Sequence, residues 1–582
     1  MNTCKTNHYY KMQIIKSLSK LLVFIFPLPA FAQSTYLPQD AKENVFIERL
    51  EIKQQKNTDL NFSTLKPFNR KFIVQEAEFL DSARMGYRDP ATNQDKFKEW
   101  TDLNLTPIDE YNLHSLLMNS AEWVTTPKEN FASKKPFLKS LYKTKANFFE
   151  VNNPDFFLAI NPILNVTLAK ERDTSNLVFL NSRGVTIRGL IAKKVGFAAM
   201  VVDNQERGPA NFRQFEQEYR AVPGVGFYKP YKTSKGFDYF DGRGYFTFSA
   251  AKFINFQAGY DKNFIGNGYR SLFLSDFGNS YLFVKINTRI WKINYQNLFM
   301  ELMPQFTKHG DELLDRKYAA MHHLSMNVNR WLNIGLFEGV IFGRKNRFDF
   351  QYLNPIIFLR HIEGTVGSPD NALAGIDFKA NVAHRLQFYG QMIMDEFRIK
   401  EIRDDSKNWV NKFGFQLGMK YVDAFNIKNL DLQFETNRVR PFVYSHSDSV
   451  ANYTHYNQPL AHPLGANFQE FIGIARFQPA PKWMIYARAI YYYKGLDSLG
   501  TNFGGNIFKP YVTRSGTDFT IGGGEKVKCL NAYASVSYEA RENFFIDLGL
   551  MLRKYRGNGI DSNNPMVSAG IRWNIWKRNY DY

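Results

Sequence analysis

Three polar segments rich in aromatic residues hold the side chains whose types could do chemistry. The first, residues 261–276, contains the turn signal Gly266-Asn267-Gly268 followed by Arg270. A glycine loop that cradles phosphate leads into the start of a helix, but residues typical of a strand follow this one. We therefore interpret 261–276 as a structured loop rather than a phosphate site.

The second segment, residues 352–371, contains four charged or titratable side chains, Arg360, His361, Glu363 and Asp370. We expect them to form a polar cluster in the interior of the protein, lining its lumen. Charged side chains in such a place are commonly paired for structural reasons. A structural role and a binding role are therefore both open for Arg360.

The third segment, residues 437–468, contains His446, His455 and His462 at spacings of nine and seven. These spacings match neither a helix-borne nor a finger-type metal site, so we expect no metal ion. Arginine, tyrosine and histidine can instead stack on sugar rings and hydrogen-bond to hydroxyls or carboxylates. Across the three segments, the predicted polysaccharide-binding residues are Arg270, Arg360, Arg438, Arg440, Tyr453, His455 and His462.

No segment pairs a nucleophile with a base, or two carboxylates, in a convincing local context. We therefore expect a protein that is not an enzyme and holds no cofactor.

The formal net charge is +19, and it falls to +15 without residues 1–32, which hold four lysines and no acid. A basic excess suits nucleic acid, anionic lipid or acidic polysaccharide. Residues 1–32 carry an export signal, described next, which makes nucleic acid the least expected of these three partners. We therefore predict that the chain binds no nucleic acid.

That export signal has three recognisable parts. Lys16 and Lys20 precede an apolar run at 21–26, and Ala30-Phe31-Ala32 is a small-x-small cleavage site. We predict a signal peptide at 1–32.

A charged, Lys-rich segment at 33–150 follows, which we interpret as periplasmic or as a plug, with a helix starting at Thr106-Pro107. Cys529 is the one cysteine after the signal, so no internal disulfide is expected.

From about residue 156 the hydrophobic pattern has a period of two. The segment 567–575 alternates Val, Ala, Ile, Trp and Ile with Ser, Gly, Arg and Asn. Because successive side chains of a strand point to opposite faces, one face is apolar and the other polar. Such segments run about 9–12 residues, long enough to cross a bilayer at a tilt, whereas soluble sandwiches mostly use shorter strands.

Eighteen such segments occur, and short connections alternate with long ones. This alternation of short and long connections is typical of outer-membrane barrels, whose short turns are periplasmic and whose long loops are extracellular. We predict an all-β transmembrane antiparallel barrel of about eighteen strands over 151–582, in contact with outer-membrane lipid. Both termini should be periplasmic, with Tyr582 just after the last strand. In a strand, His322 and His323 would put one imidazole on each face, so we expect that the pair lies near a rim or that the alternation slips at this point.

Several stretches resemble the capsule-assembly outer-membrane proteins of the Wzi family. They are RGVTIRG at 183–189, VVDNQ at 201–205 and GYDKNFIGNGYRSLFLSDFGNSYLFVKINTRIWKINYQNLFMEL at 259–302. Four more resemble the Bacteroidetes branch, which includes gliding-motility proteins of the RemB type: HHLSMNV at 322–328, FQYLNPIIF at 350–358, GSPDNALAGIDF at 367–378 and NYTHYNQPLAHPLGANF at 452–468. The resemblance covers about 150 to 582.

The resemblance implies an eighteen-stranded barrel that binds acidic surface polysaccharide at its extracellular face and helps to attach or assemble capsule. For the motility branch it implies a surface component that aids adhesion or gliding, whose loops would bind motility or secretion proteins. A passive solute pore is a third alternative, because the sequence does not decide whether the lumen is open.

Overall fold

The computed structural model describes residues 34–39, 41–55, 57, 59–84, 103–125, 131–172, 175–231, 235–306, 313–396, 407–575 and 577–582. The predicted signal peptide at 1–32 lies outside these residues. None of the helices in the described part of the chain is long and apolar enough to cross a bilayer.

Eighteen antiparallel strands of the described residues form a closed barrel, which confirms the predicted fold class and strand count. Each strand pairs with its neighbours in sequence, and the last pairs with the first, with Ile571 opposite Val166. In chain order the barrel strands are β1 Phe156–Glu171, β2 Val178–Ile191, β3 Val195–Arg207, β4 Gly236–Ala251, β5 Ile254–Asp261, β6 Tyr281–Ile290, β7 Ile293–Leu302, β8 Lys317–Asn327, β9 Leu332–Phe342, β10 Asn371–Val382, β11 Leu386–Glu396, β12 Lys412–Tyr421, β13 Leu430–Val439, β14 Phe468–Ala480, β15 Trp483–Leu496, β16 Glu525–Arg541, β17 Phe544–Gly557 and β18 Ile560–Trp573.

The alternating sequence pattern decides which side chains face outward. On β17, Ile546, Leu548 and Leu550 are exposed, while Phe545, Met551 and Arg553, which point to the opposite face, are buried in the lumen. The same alternation gives an exposed apolar belt around the outer wall, as hydrocarbon contact requires. Closure leaves no unpaired sheet edge, so the backbone hydrogen bonds of the wall are satisfied within the barrel.

The connections divide the barrel into two ends. Most connections at one end, such as 192–194, 291–292 and 542–543, are short, and we call it the short-turn end. Long connections, among them 343–370 and 440–467, lie at the opposite, long-loop end.

A small helical unit sits against the short-turn end. It comprises α1 Lys42–Gln54, α2 Arg70–Arg84 and α3 Pro107–Asn119, which share their own hydrophobic core. The helix expected at Thr106-Pro107 is confirmed. The Thr106 hydroxyl accepts from the Asp109 N–H at 3.0 Å, and the Asp109 carboxylate accepts from the Thr106 N–H at 2.9 Å. This reciprocal pair is a capping box.

Buried ion pairs tie this helical unit to the barrel wall, and we call its described residues between 34 and 125 the helical plug. The Lys42 ammonium lies 2.6 Å from Glu542, and the Lys379 ammonium lies 2.8 Å from Glu51. Arg49 pairs with Asp423 of the β12–β13 turn at 2.6 Å. Because these groups are buried, each charge needs its partner, and the plug is fixed in one position across the short-turn end.

Residues 577–582 turn back from the end of β18 into the lumen, and we call them the tail. Tyr582 is buried against Phe215 of helix α4 (Ala210–Tyr219), which belongs to the 208–235 loop at the long-loop end. Tyr582 thus follows the last strand, as the sequence indicated, but the tail carries it into the lumen. Polar residues of the wall exchange hydrogen bonds with the tail: Asn531 donates to the Tyr580 carbonyl, and Glu206 accepts from the Tyr580 hydroxyl. The inward fold of the tail thus gives hydrogen-bond partners to polar groups that face the lumen.

His322 and His323 lie neither near a rim nor at a slip of the alternation, so both expectations for this pair are wrong. His323 faces the lumen, where its ring lies 2.7 Å from Asp377. His322 faces outward from the middle of β8 and lies 2.9 Å from Glu338 of β9. A carboxylate that faces lipid at mid-wall is destabilising, but here a segment of the chain covers the pair.

The covering segment is residues 349–366, which we call the outer flap. It contains helix α5 (Leu359–Thr365) and packs on outward-facing side chains of β7, β8 and β9. The expected cluster of Arg360, His361, Glu363 and Asp370 inside the lumen is therefore wrong. Local alternation could not reveal this, because whether a loop folds inward or outward depends on which wall residues it can bury.

Candidate functional site

Two long loops close the long-loop end by folding into the lumen. They are 262–280 and 440–467, and their apolar side chains share one core with the inner wall of the barrel. Glu435 of β13 anchors the first loop, accepting from the backbone N–H groups of Tyr269 at 2.6 Å and Arg270 at 3.0 Å. The predicted structured loop at 261–276 thus serves as part of a lid.

Arg270, the first of the predicted binding residues, is 7% exposed. Its guanidinium lies 3.2 Å from the Asp581 carboxylate of the tail and 3.7 Å from Glu470. Arg488 approaches the same Asp581 oxygen at 3.4 Å. The two arginines and two carboxylates form a lumenal ion cluster that joins the lid, the wall and the tail. In this conformation a polysaccharide outside the barrel does not reach Arg270.

Tyr453 is likewise inside the lid. Its hydroxyl donates to the Phe273 carbonyl at 2.6 Å, and its ring stacks on Tyr444. This contact joins the two loops to each other. The aromatic richness that suggested sugar stacking from sequence is used here for packing, since buried rings add most of the contact area of a core.

His455 and His462 are held as neutral rings within the lid. Nδ1 of His455 accepts from the Met303 N–H, and Nδ1 of His462 accepts from the Leu464 N–H, both at 3.1 Å. The proton therefore sits on Nε2, which donates to the Ser280 carbonyl from His455 and to Glu470 from His462. Burial lowers the pKa of His455 to about 4 and lowers that of His462 despite its partner Glu470.

The three histidines of this loop do not converge. His446 lies beside Tyr511, apart from the partners of His455 and His462. The described residues contain no group of three or more His, Cys, Asp or Glu side chains placed to hold a metal ion.

The other predicted arginines lie nearer to solvent, but in three different places. Arg360 is exposed on the outer flap and lies 3.1 Å from Glu363. Arg438 is exposed on the outer wall, opposite Phe415 near the top of β13. Arg440 is half-buried at the long-loop end, where its guanidinium donates to the carbonyls of Asn411 at 2.7 Å and Asn408 at 3.1 Å.

Around Arg440 the structure assembles a patch that sequence reasoning missed. Trp409 and Tyr511 come from different loops, and their ring centroids lie 4.9 Å apart. The Arg514 guanidinium lies over the Trp409 ring at 3.4 Å. All three side chains are partly exposed. We call Trp409, Arg440, Tyr511 and Arg514 the loop patch; no local motif marked it, because its members are up to 105 positions apart in the chain.

A cavity of about 610 Å³ remains in the lumen. The plug bounds it through Lys42 and Arg49, and the tail bounds it through Lys577 and Arg578. The cavity is thus an internal space between two folded segments of the same chain.

Comparison with known proteins agrees with this geometry. Residues 232–477 match the family model described as capsule assembly protein Wzi. The solved structure of Escherichia coli Wzi is described as an outer-membrane protein involved in group 1 capsule assembly and as a carbohydrate-binding β-barrel. It superimposes with a TM-score of 0.54 at 12% identity over 93% of this chain and 99% of that one. This likeness shows the fold.

Two further solved barrels are less similar. Pseudomonas aeruginosa OprD gives a TM-score of 0.41 at 10% identity, over 72% of this chain and 94% of that one. Acinetobacter baumannii OccAB2 gives 0.40 at 7% identity, over 72% and 97%. No curated protein sequence matches the chain.

Proposed function

We propose that this chain is an outer-membrane barrel that binds acidic surface polysaccharide at its long-loop end and helps to attach or assemble capsule. The observation that carries the proposal is the match of residues 232–477 to the Wzi capsule-assembly family, on a barrel whose outer wall is apolar. The long loops would face the outside of the cell and the helical plug the periplasm.

The loop patch is the part of the long-loop end best suited to this task. Arg440 and Arg514 supply fixed positive charge beside two partly exposed rings, Trp409 and Tyr511. Guanidinium groups pair well with carboxylates, and ring edges and faces pack on the apolar sides of sugars. Binding would be non-covalent and weakened by salt, because the charges are near the surface.

The roles predicted for Arg270, Tyr453, His455 and His462 become indirect in this proposal. Each fixes the lid on which the loop patch rests, through the buried contacts given above. Arg360 and Arg438 stay as predicted contacts, although their positions on the flap and outer wall separate them from the patch.

The test is binding of purified capsular polysaccharide to the full chain in detergent micelles, measured by biolayer interferometry. The double variant Arg440→Gln plus Arg514→Gln removes two positive charges from the patch and should weaken binding at least tenfold. The matched control is Lys193→Gln plus Lys194→Gln, which removes two positive charges from an exposed short turn and should leave affinity unchanged. Equal affinity of the two double variants would contradict the proposal.

A gliding-motility or adhesion accessory, as in the RemB-type branch, is the second candidate. Here the long-loop end would bind a motility or secretion protein instead of polysaccharide. A deletion strain separates the two: loss of capsule retention with normal surface spreading supports polysaccharide binding, and the reverse supports motility. The solute pore is disfavoured because the plug, the lid and the tail all occupy the lumen of the described structure.

A further inference from the structure

The outer flap has two sides of different character. Its inner side packs on the wall through Tyr352, which stacks on Phe342 at 4.5 Å, and through Leu359, which is fully buried. Its outer side presents large apolar residues, with Phe350 77% exposed, Ile356 63% and Phe358 69%. Soluble surfaces seldom gather such side chains in one short segment, so this side indicates a contact with an apolar partner.

The flap reaches down the outer wall to the level of the apolar belt. Tyr352 lies beside Phe342 at the long-loop end of β9. Six residues further on, the N–H groups of Phe358 and Leu359 donate to the Glu338 carboxylate at 2.7 and 2.9 Å. Glu338 is four residues below Phe342, about 13 Å along the strand at roughly 3.3 Å per residue.

The belt begins directly below this point. Leu336 is the next outward-facing residue of β9, it is exposed, and it pairs in register with the exposed Ile376 of β10. The apolar side of the flap is therefore continuous with the surface that contacts hydrocarbon. Glu338 and His322 would interrupt that surface, and the flap covers both.

We propose that the outer flap is embedded in the membrane, with Ile356 and Phe358 in direct contact with the acyl chains of the outer leaflet. The flap extends the belt over a stretch of wall that carries a carboxylate and an imidazole, and it keeps lipid away from them. This inference rests on the membrane location proposed above, but it does not depend on polysaccharide binding.

The experiment uses the full chain with Cys4→Ser and one added cysteine, Ile356→Cys or Phe358→Cys, spin-labelled in vesicles of phosphatidylethanolamine and phosphatidylglycerol. Cys529 is buried and serves as the unlabelled background. Collision rates with oxygen, which concentrates in lipid, and with a nickel chelate, which stays in water, report the depth of each label. Leu548→Cys on the belt is the lipid reference, and Leu499→Cys, at a fully exposed position of the 497–524 loop, is the water reference.

We expect the oxygen-to-nickel ratio at 356 and 358 to match that at Leu548 and to exceed that at Leu499 severalfold. A ratio at either flap position equal to that at Leu499, with Leu548 still lipid-like, would overturn the flap proposal alone. Low collision rates with both reagents would show a protein partner on the flap and would also overturn it. A water-like ratio at Leu548 would overturn the membrane location itself.

Discussion

One carboxylate of the tail, Asp581, is held by several lumenal partners, and replacing this carboxylate should destabilise the protein. Asp581 lies 3.2 Å from Arg270 and 3.4 Å from Arg488, and it also accepts from the Tyr269 hydroxyl. Burial alone would raise the pKa of Asp581, but the two guanidinium groups lower it from 3.8 to about 2. Asp581→Asn keeps the shape of the side chain while leaving both arginines without this partner.

The size of the effect follows from two independent estimates. Lowering the pKa of Asp581 from 3.8 to about 2 corresponds to roughly 2.5 kcal/mol of stabilisation of the ionised form. Removing one partner of a buried ion pair costs roughly 3–5 kcal/mol. We therefore expect Asp581→Asn to lower the free energy of unfolding by about 3 kcal/mol at pH 7. Since the folded pKa is depressed, the wild-type advantage is present above pH 3.8 and is lost as the pH falls towards 2.

Urea unfolding in detergent micelles, followed by tryptophan fluorescence, measures this change. The control is Asp561→Asn, whose partner Arg556 is largely exposed, as Asp561 is itself. Surface changes of this kind stay within about 0.5 kcal/mol. If the two variants unfold at the same urea concentration, the lumenal ion cluster does not hold the tail, and the reasoning fails.

Two other perturbations follow from buried contacts. Glu338→Ala removes the acceptor of the Phe358 and Leu359 N–H groups. These two amides should then exchange faster with deuterium, while the amides of β8 stay protected. Unchanged exchange at Phe358 and Leu359 would disprove the anchoring role of Glu338. Burial lowers the pKa of His455 to about 4, so the folded protein takes up a proton at this ring less readily than the unfolded chain does. The free energy of unfolding should therefore fall by about 2 kcal/mol as the pH is lowered from 7.5 to 5. His455→Gln should remove that part of the pH dependence and His361→Gln, which is exposed, should keep it; equal pH profiles would refute the assignment.

The strands were predictable because their signal is local. Each barrel strand alternates apolar and polar residues over the whole length that crosses the membrane. The outward side chains must be apolar because they contact lipid, and the inward side chains are polar because they pack against polar groups in the lumen. Thr106-Pro107 likewise carries its own helix-start signal. The loops carry no comparable signal. Arg270, Tyr453, His455 and His462 have the residue types of a binding surface, yet all four are buried. Sequence reasoning could not find this for the first three because the groups that they contact, on Asp581, Phe273 and Ser280, lie far away in sequence.

The sequence by itself determined the barrel: its strands, the alternation of its two faces, and the division into short and long connections all follow from a period of two and a fixed strand length. Tertiary structure alone decided where the non-barrel segments go. The plug, the lid and the tail fill the lumen, and the outer flap covers His322 and Glu338 from outside. The positions of the plug, the lid and the tail depend on buried charges and hydrogen bonds between residues far apart in the chain, and the position of the flap depends on the outward-facing wall residues that it covers. These contacts must be satisfied in the folded protein and leave no periodic trace in the chain.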